Sequence, residues 1–114
     1  MSKAILDMAK QLGQAMVESA QWQALHAARA ALEEQKDVLE ALNAFQQQAG
    51  KMQQAEQQGR PVEVADKQKF HALHDKLVAS DVFKRYTAAE MEFSDLMRQV
   101  HVTLRKQVAE AGKG

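Results

Sequence analysis

Residues 81–109 read DVFKRYTAAEMEFSDLMRQVHVTLRKQVA, a stretch without glycine or proline that decides the fold. Its apolar side chains recur at steps of three, four and seven, which places them in one stripe along a helix. Ser80 or Asp81 is the predicted N-cap, and about 1.5 Å of rise per residue makes the helix roughly 40 Å long. The stripe consists of Val82, Tyr86, Ala89, Phe93, Leu96, Val100, Leu104 and Val108.

A helix of this length exceeds the diameter of a lone domain of this size, whose radius of gyration would be only ~13 Å. We therefore expect a second subunit to cover part of the stripe. The predicted fold is all-α: an antiparallel helical bundle of four or five helices with a long C-terminal helix, present as a homodimer. With 114 residues the chain suits a single helical domain, predicted over 1–111, followed by a frayed tail at 112–114.

The amino-acid composition argues against several classes of function. The 15 basic and 15 acidic residues give a formal net charge of zero, which argues against a general nucleic-acid binder. The sequence has no cysteine, which excludes disulfides, thiolate nucleophiles and cysteine-ligated metals. The N-terminal residues lack the apolar core of a secretory signal, and no run approaches the ~18 apolar residues that span a bilayer. These features predict a cytoplasmic protein without a membrane partner.

Four further helices precede the long one. The first extends from a Ser2 cap to about Glu18, with the stripe Ile5, Met8, Ala9, Leu12 and Met16. The second begins at the predicted N-cap Ser19. Its stripe is Trp22, Leu25, Ala28, Arg29 and Leu32.

Asp37 is the predicted cap of the third helix, whose apolar residues have the heptad spacing of a coiled-coil seam. That seam is Val38, Leu42, Phe45, Ala49 and Met52, and the glutamines beside it, Gln48 included, are expected on a solvated face. Gly59-Arg60-Pro61 ends this helix and predicts a helical hairpin. The returning helix is predicted at about 64–79.

Two polar groupings could carry chemistry. His71 and His74 lie three residues apart on one helix face, which is either half of a metal site or, as we favour, a pair of surface histidines. Glu90 is adjacent to the apolar stripe. It is either a buried acid with a raised pKa or, in the interpretation that we favour, the partner of Arg29 in a buried ion pair. The sequence contains no phosphate-binding loop or catalytic triad motif, so we predict no enzyme, catalytic residue, cofactor or metal.

Nine large side chains are predicted to belong either to the core or to an interface, because an obligate interface and a core use the same residue types. They are Trp22, Phe45, Met52, Phe83, Tyr86, Phe93, Met97, Val100 and Leu104. The leading hypothesis is a non-enzymatic homodimer that recruits protein partners whose identity the sequence does not give. The alternative is an RNA-associated regulator that uses basic side chains of the last helix. These are Lys84, Arg85, Arg98, Arg105 and Lys106.

Three segments together resemble the YlbF/YmcA/YheA family of small helical bacterial proteins, in particular its short YheA-like branch. They are LDMAKQLGQAMVESAQWQALHAARAALEE, LEALNAFQQQAGKMQQAEQQGRPV and LVASDVFKRYTAAEMEFSDLMRQV, which contains the pair Ala89-Glu90. The resemblance implies an all-α fold, dimeric or higher association and a cytoplasmic location. It also implies a regulatory role, since some members modulate RNA processing linked to the endoribonuclease RNase Y, and with it competence, sporulation and biofilm formation. Some members bind iron-sulfur clusters through cysteines, which this chain lacks.

Overall fold

The computed structural model describes residues 2–113, which form five α-helices and no strand. The predicted all-α fold with a long C-terminal helix is confirmed. Helix α5 has 33 residues, about 50 Å, and continues beyond the predicted end at 109. Gly112 and Lys113, assigned to a frayed tail, are helical, whereas Gly114 lies outside the described residues. The helices are α1 (Lys3–Val17), α2 (Ala20–Glu34), α3 (Lys36–Gln57), α4 (Val64–Val78) and α5 (Asp81–Lys113).

Serine caps begin two of the helices as predicted. The backbone N–H of Trp22 donates to Ser19 Oγ at 3.1 Å, and that of Phe83 donates to Ser80 Oγ at 3.3 Å. Of the other two predicted caps, Ser2 has the N-cap position of α1 without the bond, and the one at Asp37 is wrong. Ser2 makes no side-chain capping bond, and Asp37 lies inside the first turn of α3, which begins one residue earlier.

The hairpin between α3 and α4 depends on Gly59, whose φ of 70° is in the left-handed region. The Arg60 N–H donates to the Ala55 carbonyl at 2.8 Å, and the Gly59 N–H donates to the Glu56 carbonyl at 3.1 Å. This pair of bonds is the Schellman motif, which satisfies the last carbonyls of a helix. The predicted turn is therefore confirmed, together with its physical cause.

The described chain forms two compact units. The hairpin unit is Arg29–Tyr86, and the terminal unit combines Met1–Ala28 with Thr87–Gly114. Helices α2 and α5 each contribute residues to both units. The single domain predicted over 1–111 stays a prediction.

The core of the hairpin unit is centred on Leu77 of α4, which is 1% exposed. Leu32, Val38 and Ala41 are buried with it. Half-buried side chains complete the cluster: Leu42, Phe45, Leu73, Val82, Phe83 and Tyr86. Side chains of α2, α3, α4 and the start of α5 thus share one apolar core within this unit.

The terminal unit has fewer buried residues than the hairpin unit. Ala28 and Ala89 are buried, and Trp22 packs against Phe93 with ring centroids 5.3 Å apart. No residue of Lys3–Val17 is buried. In residues 2–113, no helix is long and apolar enough to cross a membrane.

Candidate interaction surface

Helix α1 has an uncovered apolar face. Ile5, Met8 and Leu12 lie on one side of the helix because they are three and four residues apart. Ile5 is 70% exposed and Met8 is 69% exposed, and the neighbouring Leu6 is 59% exposed. Helices of about 12–15 residues are marginal in water without packing, and α1 has 15 residues including Gly13. The face therefore has the properties of a surface that packs against another polypeptide.

The distal part of α5, residues 97–113, has a second apolar face. The stripe of α5 includes Phe93, which is half-buried against Trp22, and it continues towards the C-terminus. Further along, Leu104 is 54% exposed and Val108 is 73% exposed. One continuous helical stripe is thus packed in its first part and uncovered in its last part.

The nine predicted core or interface residues fall into three groups. Phe45, Phe83 and Tyr86 pack against the core of the hairpin unit. Phe45 also stacks on Phe70, with ring centroids 4.7 Å apart. Trp22 and Phe93 form the aromatic pair of the terminal unit.

The third group belongs neither to the core cluster of the hairpin unit nor to the aromatic pair of the terminal unit. Met52 and Val100 are half-buried, while Met97 and Leu104 are exposed. The residue spacing predicted the apolar stripe of α1 but not that this stripe is uncovered. Its apolar spacing was visible, but whether another part of the chain covers it depends on tertiary packing.

Gln48 is a buried polar residue of α3. It is 4% exposed, so its predicted place on a solvated face is wrong. Its Nε2 donates to the backbone carbonyl of Asp66 at 3.1 Å, which ties α3 to the first turn of α4. The Lys51 ammonium lies 3.3 Å from Asp66 Oδ1. The hydrogen bond from the Gln48 amide lowers the pKa of Asp66, while partial burial of the carboxylate opposes this shift. The bond from Lys51 and the charges of Lys51 and Lys69 lower the pKa further, with smaller effects.

Arg29 belongs to the hairpin unit and Glu90 to the terminal unit, and their predicted pairing stays a prediction. Both residues are exposed, and Arg29 Nε lies 3.3 Å from Glu33 Oε1, one turn further along α2. An exposed ion pair between residues one turn apart on a helix, such as Arg29 and Glu33, contributes only about 0.3–0.5 kcal/mol to stability.

The two histidines are surface residues of α4. His71 contacts the edge of Phe70, and His74 lies near Phe45, with its Nδ1 3.6 Å from Asp75 Oδ1. Within residues 2–113, no three histidine, aspartate or glutamate side chains come together as a metal site.

The basic side chains proposed for RNA contact are all exposed: Lys84, Arg85, Arg98, Arg105 and Lys106. Arg98 is paired, with Nη2 2.6 Å from Asp95 Oδ1. The hydrogen bonds from Arg98 and then Gln99 lower the pKa of Asp95. Arg98 and Arg105, with His101 between them, line a shallow hollow on α5. Asp95 offsets the charge of Arg98, which weakens the attraction of this hollow for an anion.

A family model described as "Control of competence regulator ComK, YlbF/YmcA" matches residues 5–109. The chain belongs to the YlbF/YmcA family. The part shared with the YlbF/YmcA model begins in α1 and ends in α5, and it includes the exposed side chains Ile5 and Met8 of the first face and Leu104 and Val108 of the second. The comparison with curated proteins finds no match.

Proposed function

We propose that this YlbF/YmcA-family chain is a non-enzymatic regulatory module, which associates with itself and recruits another protein. The observation that carries the proposal is the apolar face of α1, which no part of the described chain buries. Uncovered apolar patches rimmed by polar residues mark interaction sites. The family description, which concerns control of a competence regulator, supports a regulatory role.

The charges on α1 favour a protein partner over a lipid surface. Helices that lie in membrane interfaces have a polar face rich in lysine and arginine. Helix α1 has two lysines, Lys3 and Lys10, and one opposing acid, Asp7. A surface with so little net charge has weak attraction for anionic lipid, whereas its methionine, leucine and isoleucine side chains suit a protein interface. We place the protein in the cytoplasm, in keeping with its cysteine-free sequence.

The proposal is tested by capture from a native lysate with the tagged full-length chain as bait. The matched control is the same capture with an excess of untagged chain, which competes for every specific binding site. We expect at least one protein other than the chain itself to be retained and then displaced by the competitor. If the untagged chain displaces nothing but itself, the recruiting role is wrong.

A further inference from the structure

The distal part of α5 has an excess of positive charge. Residues 97–113 contain four basic residues and one acid, a net charge of +3, which leaves −3 on the remainder of a chain whose formal net charge is zero. The basic residues are Arg98, Arg105, Lys106 and Lys113, and the acid is Glu110. Complementary charge steers and selects binding partners, so this segment favours an acidic one.

Two of these charges lie, with a histidine, along one side of the apolar stripe. Arg98, His101 and Arg105 each come one residue after a member of the stripe, which turns them about 100° around the helix from it. The stripe members concerned are Met97, Val100 and Leu104. The residues that come one position before a stripe member are neutral: Gln99, Thr103 and Gln107. A basic row therefore borders the apolar stripe on one side, and a neutral row borders it on the other.

Arg105 is the member of the basic row whose charge is not offset. Within residues 2–113 it has no ion-pair partner, whereas Arg98 Nη2 lies 2.6 Å from Asp95 Oδ1. Both arginines line the shallow hollow on α5 together with Phe93 and Met97. A guanidinium group binds a carboxylate through two parallel hydrogen bonds. A carboxylate bound to Arg105 would thus lie next to apolar side chains.

The uncovered face of α1 does not supply this carboxylate. Helix α1 has two lysines and one aspartate, so its own net charge is positive. Charges of the same sign on facing surfaces oppose association. The charge pattern therefore favours a different polypeptide as the ligand of the basic row.

We propose that residues 97–113 bind an amphipathic helix of another protein, with aspartates or glutamates along one side of its apolar face. An apolar stripe with steps of three and four residues packs on a helix with the same steps. The segment extends for about 25 Å, the length of a partner helix of about 16 residues. Leu104 is 54% exposed and Val108 is 73% exposed, which leaves them available to the partner. This inference rests on the proposed function and states the chemistry of the recruited protein.

The test is a fluorescence-anisotropy titration of a labelled synthetic helix with the full-length chain. The probe is an alanine-based peptide of about 16 residues with leucines in steps of three and four and a row of glutamates along one side of them. It is kept at trace concentration, at which it does not pair with itself. We expect it to bind, and to bind more weakly as the salt concentration rises. A peptide with lysines in place of the glutamates should bind at least about 10-fold more weakly.

Arg105→Glu and Lys106→Glu are matched substitutions on neighbouring exposed residues. Both change the net charge of the chain by the same amount, but Arg105 lines the hollow, whereas Lys106 lies about 200° around the helix from Leu104. We expect Arg105→Glu to weaken binding of the glutamate peptide about 10-fold or more and to improve binding of the lysine peptide. Lys106→Glu should change either affinity by less than about threefold. The melting of the helical signal verifies that both variants keep the fold.

No binding of the glutamate peptide, equal binding of the two peptides, or equal weakening by the two substitutions would overturn the proposal. Displacement of the glutamate peptide by single-stranded RNA through Arg105 would also overturn it, since the basic row would then be a nucleic-acid contact. The proposed function has a separate readout. A protein captured equally from lysate by the unmodified and the Arg105→Glu chains would keep the recruiting role and refute only the α5 surface.

Discussion

Leu77→Ala is the substitution that most directly tests the core of the hairpin unit. Leu77 is 1% exposed and is packed among Leu32, Val38 and Ala41. The substitution removes three carbon atoms, which corresponds to about 2.4 kcal/mol of lost burial at ~0.8 kcal/mol per methylene. The remaining cavity adds to this loss, because buried leucine to alanine changes span about 2.7–5 kcal/mol. We expect the free energy of unfolding to fall by about 3–4 kcal/mol.

That loss is a large part of the stability of a chain of 114 residues, which is typically about 6–17 kcal/mol. The assay is thermal unfolding followed by far-ultraviolet circular dichroism, with the protein concentration fixed because association shifts the midpoint. At about 4 °C per kcal/mol, the melting temperature should fall by about 15 °C.

Val78→Ala is the matched control, on the next residue of the same helix. Val78 is 41% exposed, so its truncation should lower the stability by less than about 1 kcal/mol. Equal melting temperatures for Leu77→Ala and Val78→Ala would refute the assignment of Leu77 to the core.

Three further experiments probe other parts of the fold. Gln48→Ala removes the buried amide that joins α3 to α4, and chemical denaturation should show a loss of about 2 kcal/mol; an unchanged midpoint would mean that this bond does not hold the hairpin. Gly59→Ala puts a Cβ at a φ of 70° and should destabilise by about 1–2 kcal/mol, whereas Gly50→Ala in the middle of α3 should stabilise by about 0.5–1 kcal/mol; changes of the same sign would contradict the turn geometry. Phe93→Ala should destabilise by about 2 kcal/mol, less than the loss for a fully buried ring, and should red-shift the fluorescence of Trp22; an unshifted spectrum would contradict the contact between the two rings.

Helix ends and turns were predicted correctly where a single residue and its neighbours determine the local conformation. The Gly59 turn and the serine caps at positions 19 and 80 each depend on a single residue and its neighbours, and all three are confirmed. The Asp37 cap failed because α3 begins at Lys36, two residues before the Val38 start that a cap at Asp37 would require. Helix ends depend on tertiary packing as well as on local preference.

The seam of α3 illustrates where periodicity is ambiguous. Two heptad registers fit the sequence, one through Leu42 and Ala49 and another through Ala41 and Gln48. The more apolar register was predicted, and it left Gln48 in solvent. In the structure Ala41 and Gln48 are the buried pair, because the Gln48 amide finds the Asp66 carbonyl on the facing helix. Sequence spacing does not reveal such a partner 18 residues away.

The candidate interaction surface was predictable only in part. The apolar stripes of α1 and α5 follow from residue spacing, but the same spacing describes a covered stripe and an uncovered one. The packing of Trp22 on Phe93, and the exposure of Leu104 and Val108 beyond it, come from the structure.

The most direct measurement of the central claim is amide hydrogen exchange of α1 at two protein concentrations, above and below the dimer dissociation constant. Alone, this 15-residue helix with no buried side chain would open readily and exchange fast. If a second copy covers it, residues 3–17 are protected at high concentration and lose that protection on dilution, while the amides around Leu77 stay protected. Exchange of α1 that does not change with concentration would contradict the account.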